Sequence, residues 1–320
     1  MSAGLIQRLF EEYYVEKSNY EEQKVSSHWQ YYSGQFDVEI GDNAEIIALS
    51  GLGFGSMMEK SRMNRVLAWI GHVLYLVRLD KRFRILGLFP KALRVCRKMG
   101  ASFSFDVFKQ ICSLELILRH LKDRQFSSAL KIMIIGDGYG FLSSLVKALI
   151  PSAKIVLVDI GKTLLFQAIY CQRVNHEATH IHIDDMDSNG EADFIYCPAE
   201  KVNLYTDSLD LAINIASMQE MTMKIVEEYF SFLRCHMTGG LFYCCNRESK
   251  QLPDGEIVEF YKYPWKPDDV HLVDETCPWY RWYLSLAPSK KGPTLFGVRI
   301  PLINYFDGPI FHRLTILSKA

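Results

Sequence analysis

The second half of the chain alternates short apolar runs with longer amphipathic segments. The apolar runs are predicted to be buried strands: IMII (132–135), IVLVD (155–159), ADFIYC (192–197), LDLAIN (209–214) and LFYCCN (241–246). Between them, residues 141–149, 164–173 and 223–235 carry apolar side chains at helical spacing. Continuous apolar strands separated by helical crossovers are typical of a parallel sheet covered on both faces. The pattern predicts a Rossmann-like α/β domain over residues 131–320.

Residues 1–130 follow a different pattern and are predicted to be mostly helical. GLIQRLFEEYYVEK (4–17) and FDVFKQICSLELILRHL (105–121) carry apolar residues at helical spacing. Between them, GLGFG (51–55) follows no clear strand, which favours a turn over a ligand-binding loop. We expect this region to form a substrate-covering cap or an interface.

Composition excludes several classes of protein. A hydrophobic content of 49% with 23% charged residues is typical of a globular chain, and a net charge of −1 predicts no nucleic-acid partner. The eight cysteines contain no C-x-x-C pair, which favours free thiols over disulfides or a zinc site. The N-terminus lacks the pattern of a signal peptide. The longest apolar run (66–77) falls short of the roughly 20 residues that span a bilayer, so we expect a cytoplasmic protein.

One segment departs from this charge balance. Residues 59–98 contain eleven Lys or Arg residues against Glu59 and Asp80. The segment is either a solvated helical face or a surface that meets an anionic, lipid-linked substrate. A homo-oligomer is a further open alternative.

A glycine-rich stretch, GDGYG, follows the first predicted strand of the sheet. Gly136 allows a sharp turn, and Gly138 and Gly140 lack the Cβ atoms that would block a ligand near the next helix. Asp159 ends the next strand, 21 residues after Gly138, where a carboxylate can accept hydrogen bonds from both ribose hydroxyls. These features predict a nucleotide-bearing cofactor. A structural turn is the alternative.

The glycine spacing distinguishes between two cofactors. Dinucleotide-binding proteins use G-x-G-x-x-G, whereas this chain has G-x-G-x-G. That spacing resembles the first motif of class I methyltransferases, and the resemblance implies S-adenosylmethionine. The loop CPAEKVNLY (197–205) would flank the adenine, and NIASMQEM (214–221) would bring cofactor and acceptor together. The implied cofactor-binding residues are Gly136, Asp137, Gly138, Gly140, Asp159, Ala199, Glu200, Asn214, Ser217 and Gln219.

The ordered motifs from Lys131 to Trp282 resemble the sugar O-methyltransferases found among bacterial surface-polysaccharide enzymes. They are GDGYG, LDLAINIASMQEM, YCCNRESKQLPDGE (243–256), YPW (263–265) and DETCPW (274–279). The resemblance implies methylation of a sugar hydroxyl in polysaccharide or glycoconjugate biosynthesis. One position departs from it, because Ile134 stands where such enzymes usually carry Asp or Glu. Asp137 could partly compensate.

A sugar hydroxyl becomes a good nucleophile only as its proton leaves, which requires a general base. Glu220 is the first candidate, because it follows the fourth strand at the expected cofactor cleft. Its alternative interpretation is a carboxylate that complements a helix dipole. The lesser candidates are Asp274, Glu275 and His236, and His236 is also expected to cap a helix.

Several aromatic and polar residues are candidates for contact with the acceptor. Flat rings suit the apolar face of a pyranose, although core packing explains the same residues equally well. Arg247 could bind an anionic sugar or a carrier phosphate. The candidate substrate-binding residues are Asn246, Arg247, Tyr263, Trp265, Trp279 and Tyr280.

Three alternatives complete the sequence analysis. HIHIDDMD (180–187) suggests a metal site, but an edge strand followed by a solvated turn explains it better, so no metal is predicted. A nicotinamide-dependent oxidoreductase is disfavoured by the glycine spacing and by the lack of a Tyr-x-x-x-Lys pair after the fourth strand. A non-catalytic subunit that binds the cofactor stays open because of Ile134.

Overall fold

The computed structural model describes residues 3–15, 26–33, 36–40, 46–51, 61–78, 87–122, 129–186, 192–286, 292–306 and 308–319. The helices in these ranges are α1 (Ala3–Val15), α2 (Ser27–Ser33), α3 (Arg62–Arg78), α4 (Phe89–Met99), α5 (Phe105–Leu121), α6 (Phe141–Leu149), α7 (Gly161–Val174) and α8 (Met223–His236). The strands are β1 (Phe36–Ile40), β2 (Ile46–Gly51), β3 (Lys131–Ile135), β4 (Lys154–Asp159), β5 (His180–His182), β6 (Phe194–Pro198), β7 (Leu211–Ile215), β8 (Leu241–Arg247), β9 (Ser249–Gln251), β10 (Ile257–Glu259), β11 (Val270–Thr276), β12 (Trp282–Leu284), β13 (Thr294–Leu295), β14 (Val298–Arg299), β15 (Ile303–Tyr305) and β16 (Ile310–Ile316).

An eight-stranded sheet organises the second half of the chain, in the order β11-β16-β8-β7-β3-β4-β6-β5. The six strands from β8 to β5 are parallel, whereas β16 is antiparallel to both β8 and β11. Chain order reverses between β3 and β7, and in such sheets ligands bind beyond the carboxyl ends of the strands at that reversal. The Rossmann-like fold prediction is therefore confirmed, with two antiparallel strands that it did not include.

Helices cover both faces of the sheet because the central strands are apolar on both sides. In β3, Ile132 and Ile134 enter a core with α5, α6 and α7, while Met133 and Ile135 enter a second core with α8. Burying each such side chain contributes about 1.5–3 kcal/mol. Residues of α1, α3, α4 and α5 belong to the first core, where α1 and α4 pack on the helices α6 and α7 that cover the sheet. A domain boundary at residue 130 stays a prediction.

The N-terminal region is mostly helical, as predicted, with one correction. Residues 46–51 form a strand that pairs with β1 and ends at Gly51, so the expectation that GLGFG follows no strand is wrong. Residues 52–55 of that motif lie outside the described residues. The apolar run at 66–77 lies within α3. In the described part of the chain, every helix is too short or too polar to cross a bilayer.

Candidate nucleotide-binding site

The glycine-rich loop after β3 adopts a backbone that glycine accommodates best. Gly136, Gly138 and Gly140 all have left-handed φ angles, of 77°, 64° and 76°. A Cβ on Gly136 would overlap the side chain of Ser217, and one on Gly140 would lie 2.5 Å from Cys171 Sγ. Gly136 thus lets this loop approach the loop after β7, and Gly140 lets it approach α7. For Gly140, the close neighbour is a helix of the protein, where the sequence analysis expected a ligand.

Asp137 caps the helix that follows the glycine loop. Its Oδ1 accepts a hydrogen bond from Leu142 N (3.1 Å) and its Oδ2 from Ser143 N (2.8 Å). Burial raises the pKa of this carboxyl to about 6, against the opposing effect of those hydrogen bonds. Both of its oxygens bind α6, and a contact between Asp137 and a cofactor stays a prediction. The α6 amides, which could otherwise bind a phosphate, are bound by a carboxylate of the protein.

A cavity of about 1050 Å³ opens beside this loop, against α8 and the loops after β4, β6 and β7. Five predicted cofactor-binding residues line it: Gly136, Asp159, Ala199, Glu200 and Ser217. Other lining residues were not predicted from the sequence, among them Ser26, Trp29, Val158, Ile160, Met221, Lys224, Ile225, Glu227, Glu228, Tyr229 and Phe232. One end of the cavity therefore lies at the carboxyl edge of the sheet, where the strand order reverses.

Asp159 lies at this edge of the cavity as the last residue of β4. Its Oδ1 accepts a hydrogen bond from Ile160 N (2.8 Å) and its Oδ2 from Gln167 Nε2 (2.5 Å). Burial raises its pKa to about 7, and the nearby charges of Asp137 and Glu220 act in the same direction. Each carboxylate oxygen retains a further lone pair. The ionised side chain can accept hydrogen bonds from a pair of hydroxyl groups in the cavity.

The rest of the cavity wall is partly acidic and partly apolar. Its lining residues include four carboxylates, Asp159, Glu200, Glu227 and Glu228, against one lysine, Lys224. A wall of this charge favours a neutral or cationic ligand over a pyrophosphate. The apolar part, which suits a flat heterocyclic base, consists of Trp29, Val158, Met221, Ile225, Tyr229 and Phe232.

A buried amide network holds the loop after β7. Asn214 Oδ1 accepts hydrogen bonds from Met218 N (3.1 Å) and Asn246 Nδ2 (2.8 Å), while Asn246 Oδ1 accepts one from Gln219 N (3.1 Å). Gln219 Oε1 accepts a hydrogen bond from Arg247 N (2.8 Å). The side chains of Asn214, Gln219 and Asn246 are buried and position this loop, and their contact with a ligand stays a prediction. Ligand binding by the Arg247 side chain stays a prediction.

The same loop contains a strained residue. Ala216 has a left-handed φ of 60°, which is uncommon for a residue with a side chain. Its N–H donates to Cys245 O (2.8 Å), so β8 fixes this conformation. Ser217 comes next in the chain and lines the cavity. The strain therefore lies at the point where the loop turns a hydroxyl side chain toward the candidate site.

Glu220 is engaged with two partners, a lysine and a histidine. Its Oε1 lies 2.8 Å from Lys250 Nζ, and its Oε2 lies 3.4 Å from His28 Nε2. Burial acts to raise its pKa, but the hydrogen bond from His28 and the charge of Lys250 outweigh burial and lower the pKa. A carboxylate held ionised in this way is a weak base. These contacts weaken the case for Glu220 as the general base, and that assignment stays a prediction.

Residues 26–33 complete the wall at Glu220. Ser26 Oγ donates to Glu220 O, and Ser26 and Trp29 both line the cavity. The hairpin β9–β10 contacts the same region, since Asp254 N donates to Ser27 Oγ (3.3 Å). Motifs that are separate in the sequence, MQEM and NRESKQLPDGE, thus meet beside one cavity.

The remaining catalytic candidates lie away from the glycine loop. His236 ends α8, and thirteen residues at a helical rise of 1.5 Å place it about 20 Å from Met223. Its Nδ1 donates to Phe232 O (2.8 Å), as a helix-capping histidine does. It lines the far end of the cavity. Its role as the base stays a prediction.

Asp274 and Glu275 lie on the edge strand β11, four strands from β3, which corresponds to about 19 Å. Asp274 pairs with Arg313 (2.7 Å) and Glu275 with His312 (3.4 Å). These contacts join β11 to β16. The assignment of either carboxylate as the general base stays a prediction, which their place on the edge strand disfavours.

The aromatic residues predicted to bind a sugar are packed in the two cores. Trp279 is fully buried and donates to Ser113 Oγ (3.2 Å), and the Tyr280 ring lies 4.3 Å from Lys109 Nζ. Tyr263 is buried, and Trp265 packs against Phe230 with ring centroids 4.7 Å apart. These four predictions are corrected in favour of core packing, the alternative that the sequence also allowed.

The HIHIDDMD segment begins as the edge strand β5. His182 and Asp184 approach Glu12 of α1, with potential ligand atoms within 4.8 Å of one another. Arg8 and Lys201 bind the carboxylates of Glu12 and Asp184. The group anchors α1 to the sheet. Asp187 lies outside the described residues.

Comparisons with known proteins complete the description. No family model matches the chain, and neither does any curated protein. Solved structures that match include TrmN from Thermus thermophilus, with TM-score 0.39, 8% identity, and coverage of 65% of this chain and 48% of that one. The cyclopropane synthase MmaA2 from Mycobacterium tuberculosis has TM-score 0.37 and 11% identity, covering 53% and 66%. Magnesium protoporphyrin IX methyltransferase from Synechocystis PCC 6803, with bound SAH, has TM-score 0.38 and 11% identity, covering 65% and 83%. The chain spans about half the length of TrmN.

Proposed function

We propose that this protein is a methyltransferase that uses S-adenosylmethionine. The observation that carries the proposal is the pair of acidic residues after β3 and β4. Asp137 binds the N-terminal amides of α6, and Asp159 presents a carboxylate to the cavity. This arrangement provides acceptors for ribose hydroxyls and opposes a phosphate at the helix terminus.

The residues at the sheet edge fit a nucleoside that carries a cationic sulfonium. Asp159 would hold the ribose hydroxyls, Ile160 and Ala199 would flank the base, and Ser217 would lie beside the glycine loop. When bound, S-adenosylmethionine supplies an electrophilic methyl group. The acidic wall around Glu200 favours that positive charge.

A nicotinamide dinucleotide fits the same edge less well. In dinucleotide-binding sheets the pyrophosphate lies at the N-terminus of the helix after the first strand. Here Leu142 N and Ser143 N donate to Asp137. A pyrophosphate would displace or face a buried carboxylate, and like charges at short range cost several kcal/mol.

The structure also explains the departure at Ile134. Its side chain is 1% exposed and lies in the core formed with α5 and α6. A carboxylate at this position would be buried among apolar side chains, so the acidic groups at the site come from Asp137 and Asp159. A non-catalytic subunit that retains cofactor binding remains the competing hypothesis, and turnover distinguishes the two.

His28 is the base that we assign to proton removal from the acceptor. Glu220 Oε2 lies 3.4 Å from its Nε2, and the neighbouring residues Ser26 and Trp29 line the cavity. A carboxylate that accepts from Nε2–H leaves Nδ1 as the basic nitrogen of the neutral ring. Glu220 would orient the imidazole and stabilise its protonated form, as a carboxylate does in catalytic triads.

A sugar hydroxyl is the acceptor that we propose, on the ordered motifs shared with sugar O-methyltransferases. Two of these motifs meet in one wall, where Lys250 of β9 donates to Glu220 (2.8 Å). In the same wall, Met223 N donates to Glu256 Oε1 (2.8 Å). The proposed setting is the biosynthesis of a bacterial surface polysaccharide or glycoconjugate.

Calorimetric titration of the whole chain with S-adenosylhomocysteine and with NAD⁺ tests the cofactor. We expect S-adenosylhomocysteine to bind and NAD⁺ to bind at least about tenfold more weakly; the reverse order would favour an oxidoreductase. Transfer of labelled methyl groups to a panel of sugars and nucleotide sugars tests the acceptor. Cofactor binding without transfer to any of them would contradict the sugar assignment and favour the non-catalytic alternative.

A further inference from the structure

Helix α3 is apolar on both of its faces. One face packs into the protein through Leu67, Ala68 and Tyr75, which are 3–9% exposed. The opposite face carries a continuous apolar stripe that faces solvent, with 44–80% exposure at Met63, Val66, Ile70, Val73, Leu74 and Val77. Helices that are apolar all round are found in protein cores or in contact with lipid. The solvent-facing half of α3 therefore requires a partner.

The packed face fixes α3 firmly, so the residues that the structure describes leave its other face uncovered. Tyr75 stacks on Trp282 with ring centroids 4.3 Å apart, donates to Trp282 O (2.7 Å) and accepts from Trp282 N (2.8 Å). His72 is fully buried among the rings of Phe103, Phe105 and Phe108. Rotation of α3 to hide the stripe would break these contacts.

The charge on α3 indicates the chemistry of its partner. The helix sequence RMNRVLAWIGHVLYLVR contains three arginines and no carboxylate. Arg62 and Arg65 are exposed at the same end as Met63 and Val66. Trp69, 41% exposed, lies on the solvent side, and tryptophan is enriched where lipid headgroups meet water. A cationic, apolar helix surface of this kind complements an anionic lipid surface.

Charge also argues against a second copy of this chain as the partner. A two-fold interface would bring the same patch of two copies together. Neither α3 helix would carry a carboxylate to pair with Arg62 and Arg65 of the other copy. Like charges facing each other weaken such an interface.

We propose that α3 docks on the surface of an anionic membrane. The helix would lie in the plane of the interface, with Val73 and its apolar neighbours among the upper acyl chains and the arginines at lipid phosphates. Each arginine near such a surface strengthens binding about fivefold. This inference is independent of the cofactor and the acceptor assigned above.

Sedimentation with lipid vesicles tests the docking surface. The whole chain is mixed with two kinds of vesicle. One is phosphatidylcholine alone, and in the other phosphatidylglycerol makes up about a third of the lipid. Wild type is expected to bind the anionic vesicles, and to bind them less in high salt because the arginine contacts are screened. Absence of binding, or equal binding to neutral vesicles, would overturn the proposal.

Two matched variants locate the contact. Val73 on α3 and Val270 on β11 are both 54% exposed, so Val73→Asp and Val270→Asp make the same change at equally exposed positions. Val73→Asp should reduce vesicle binding about tenfold or more while Val270→Asp leaves it unchanged. Arg62→Gln combined with Arg65→Gln should remove most of the preference for anionic lipid. Equal effects of the two Asp variants on vesicle binding would contradict the assignment to α3. So would sedimentation velocity that shows the wild type as a dimer and Val73→Asp as a monomer.

Discussion

Asp137 Oδ2 accepts a hydrogen bond from the backbone N–H of Ser143 over 2.8 Å. This bond and its partner at Leu142 N place a carboxylate on amides that, in a dinucleotide-binding fold, face a pyrophosphate. Asp137, the middle residue of Gly-Asp-Gly, therefore places its carboxylate where a phosphate of a dinucleotide would lie. A nucleoside without phosphates is the ligand compatible with this loop.

Replacing Asp159 by Asn is expected to stabilise the ligand-free protein at high pH. The folded-state pKa of about 7 lies above the ordinary value of 3.8, so the ionised carboxylate opposes folding above pH 7. That opposition disappears as the pH falls toward 4. The variant should gain on the order of 1–2 kcal/mol at pH 8, because solvent in the cavity reduces the effect of burial. The Nδ2 of the new Asn can donate to Gln167 Oε1, a buried atom without a hydrogen-bond partner in the described structure.

Thermal melts of wild type and Asp159→Asn at pH 5 and pH 8 check this prediction. The variant's advantage should be largest at pH 8 and small at pH 5, where the wild-type carboxyl is protonated. An advantage of the same size at both pH values would contradict the assigned cause.

Cofactor affinity should rise with pH up to about 7, whereas the stability of the ligand-free protein should fall. Ribose hydroxyls donate to the ionised form of Asp159, and below its pKa of about 7 binding must first release a proton. The dissociation constant for S-adenosylhomocysteine should rise about tenfold per pH unit below 7 and level off above it. Calorimetry across pH 5.5–8.5 measures this slope, with Asp159→Asn as the control. The variant should bind at least about tenfold more weakly at pH 8 and without the slope.

The approach of the glycine loop to α7 predicts a coupled pair of substitutions. Gly140→Ala places a Cβ 2.5 Å from Cys171 Sγ at a φ of 76°. We expect a loss of roughly 2–4 kcal/mol, combining the left-handed backbone and the overlap. Adding Cys171→Ala should recover at least about 1 kcal/mol of that loss, and chemical unfolding of the four proteins measures this coupling. Strictly additive effects would show that Cys171 does not limit the approach.

The pairing of Glu220 with His28 predicts which residue controls proton removal. His28→Gln should lower the rate of methyl transfer by about 10²–10⁴-fold with little change in cofactor affinity, as expected for loss of a general base. Glu220→Gln should have a smaller effect on rate and should destabilise the protein, because Lys250 loses its counter-charge.

The pH–rate profile separates the two assignments. With His28 as the base, the wild-type rate depends on pH and His28→Gln removes that dependence. With Glu220 as the base, the rate is flat above pH 5, because its lowered pKa keeps it ionised there. A flat profile together with normal turnover in His28→Gln would restore Glu220 as the candidate.

The sequence predicted the central part of the fold well, because β3, β4 and their neighbours are buried on both faces and appear as continuous apolar runs. It missed β11, whose residues are mostly exposed at the sheet edge and carry no such run. Without β11 and its partner β16, the sheet was expected to be wholly parallel. Asp159 was placed correctly at the cavity because its position follows from the end of a strand.

Side-chain direction was harder to predict than position. Asn214 and Gln219 fall in the predicted loop. Local sequence does not show that Asn214 accepts a hydrogen bond from Met218 N, or that Gln219 N donates one to Asn246, inside the protein. Trp279 follows a proline, a context that cores and surfaces share. His28 was missed because its contact with Glu220 joins segments almost two hundred residues apart.

A phosphate series on adenosine tests the central claim most directly. The dissociation constants of adenosine, AMP and ADP are measured for wild type and for Asp137→Ala, whose helix loses its carboxylate cap. The account predicts that ADP binds wild type at least about tenfold more weakly than adenosine, and that this difference narrows in the variant. Tighter binding of ADP than of adenosine by wild type would contradict it, because the amides of α6 would then be available to phosphate.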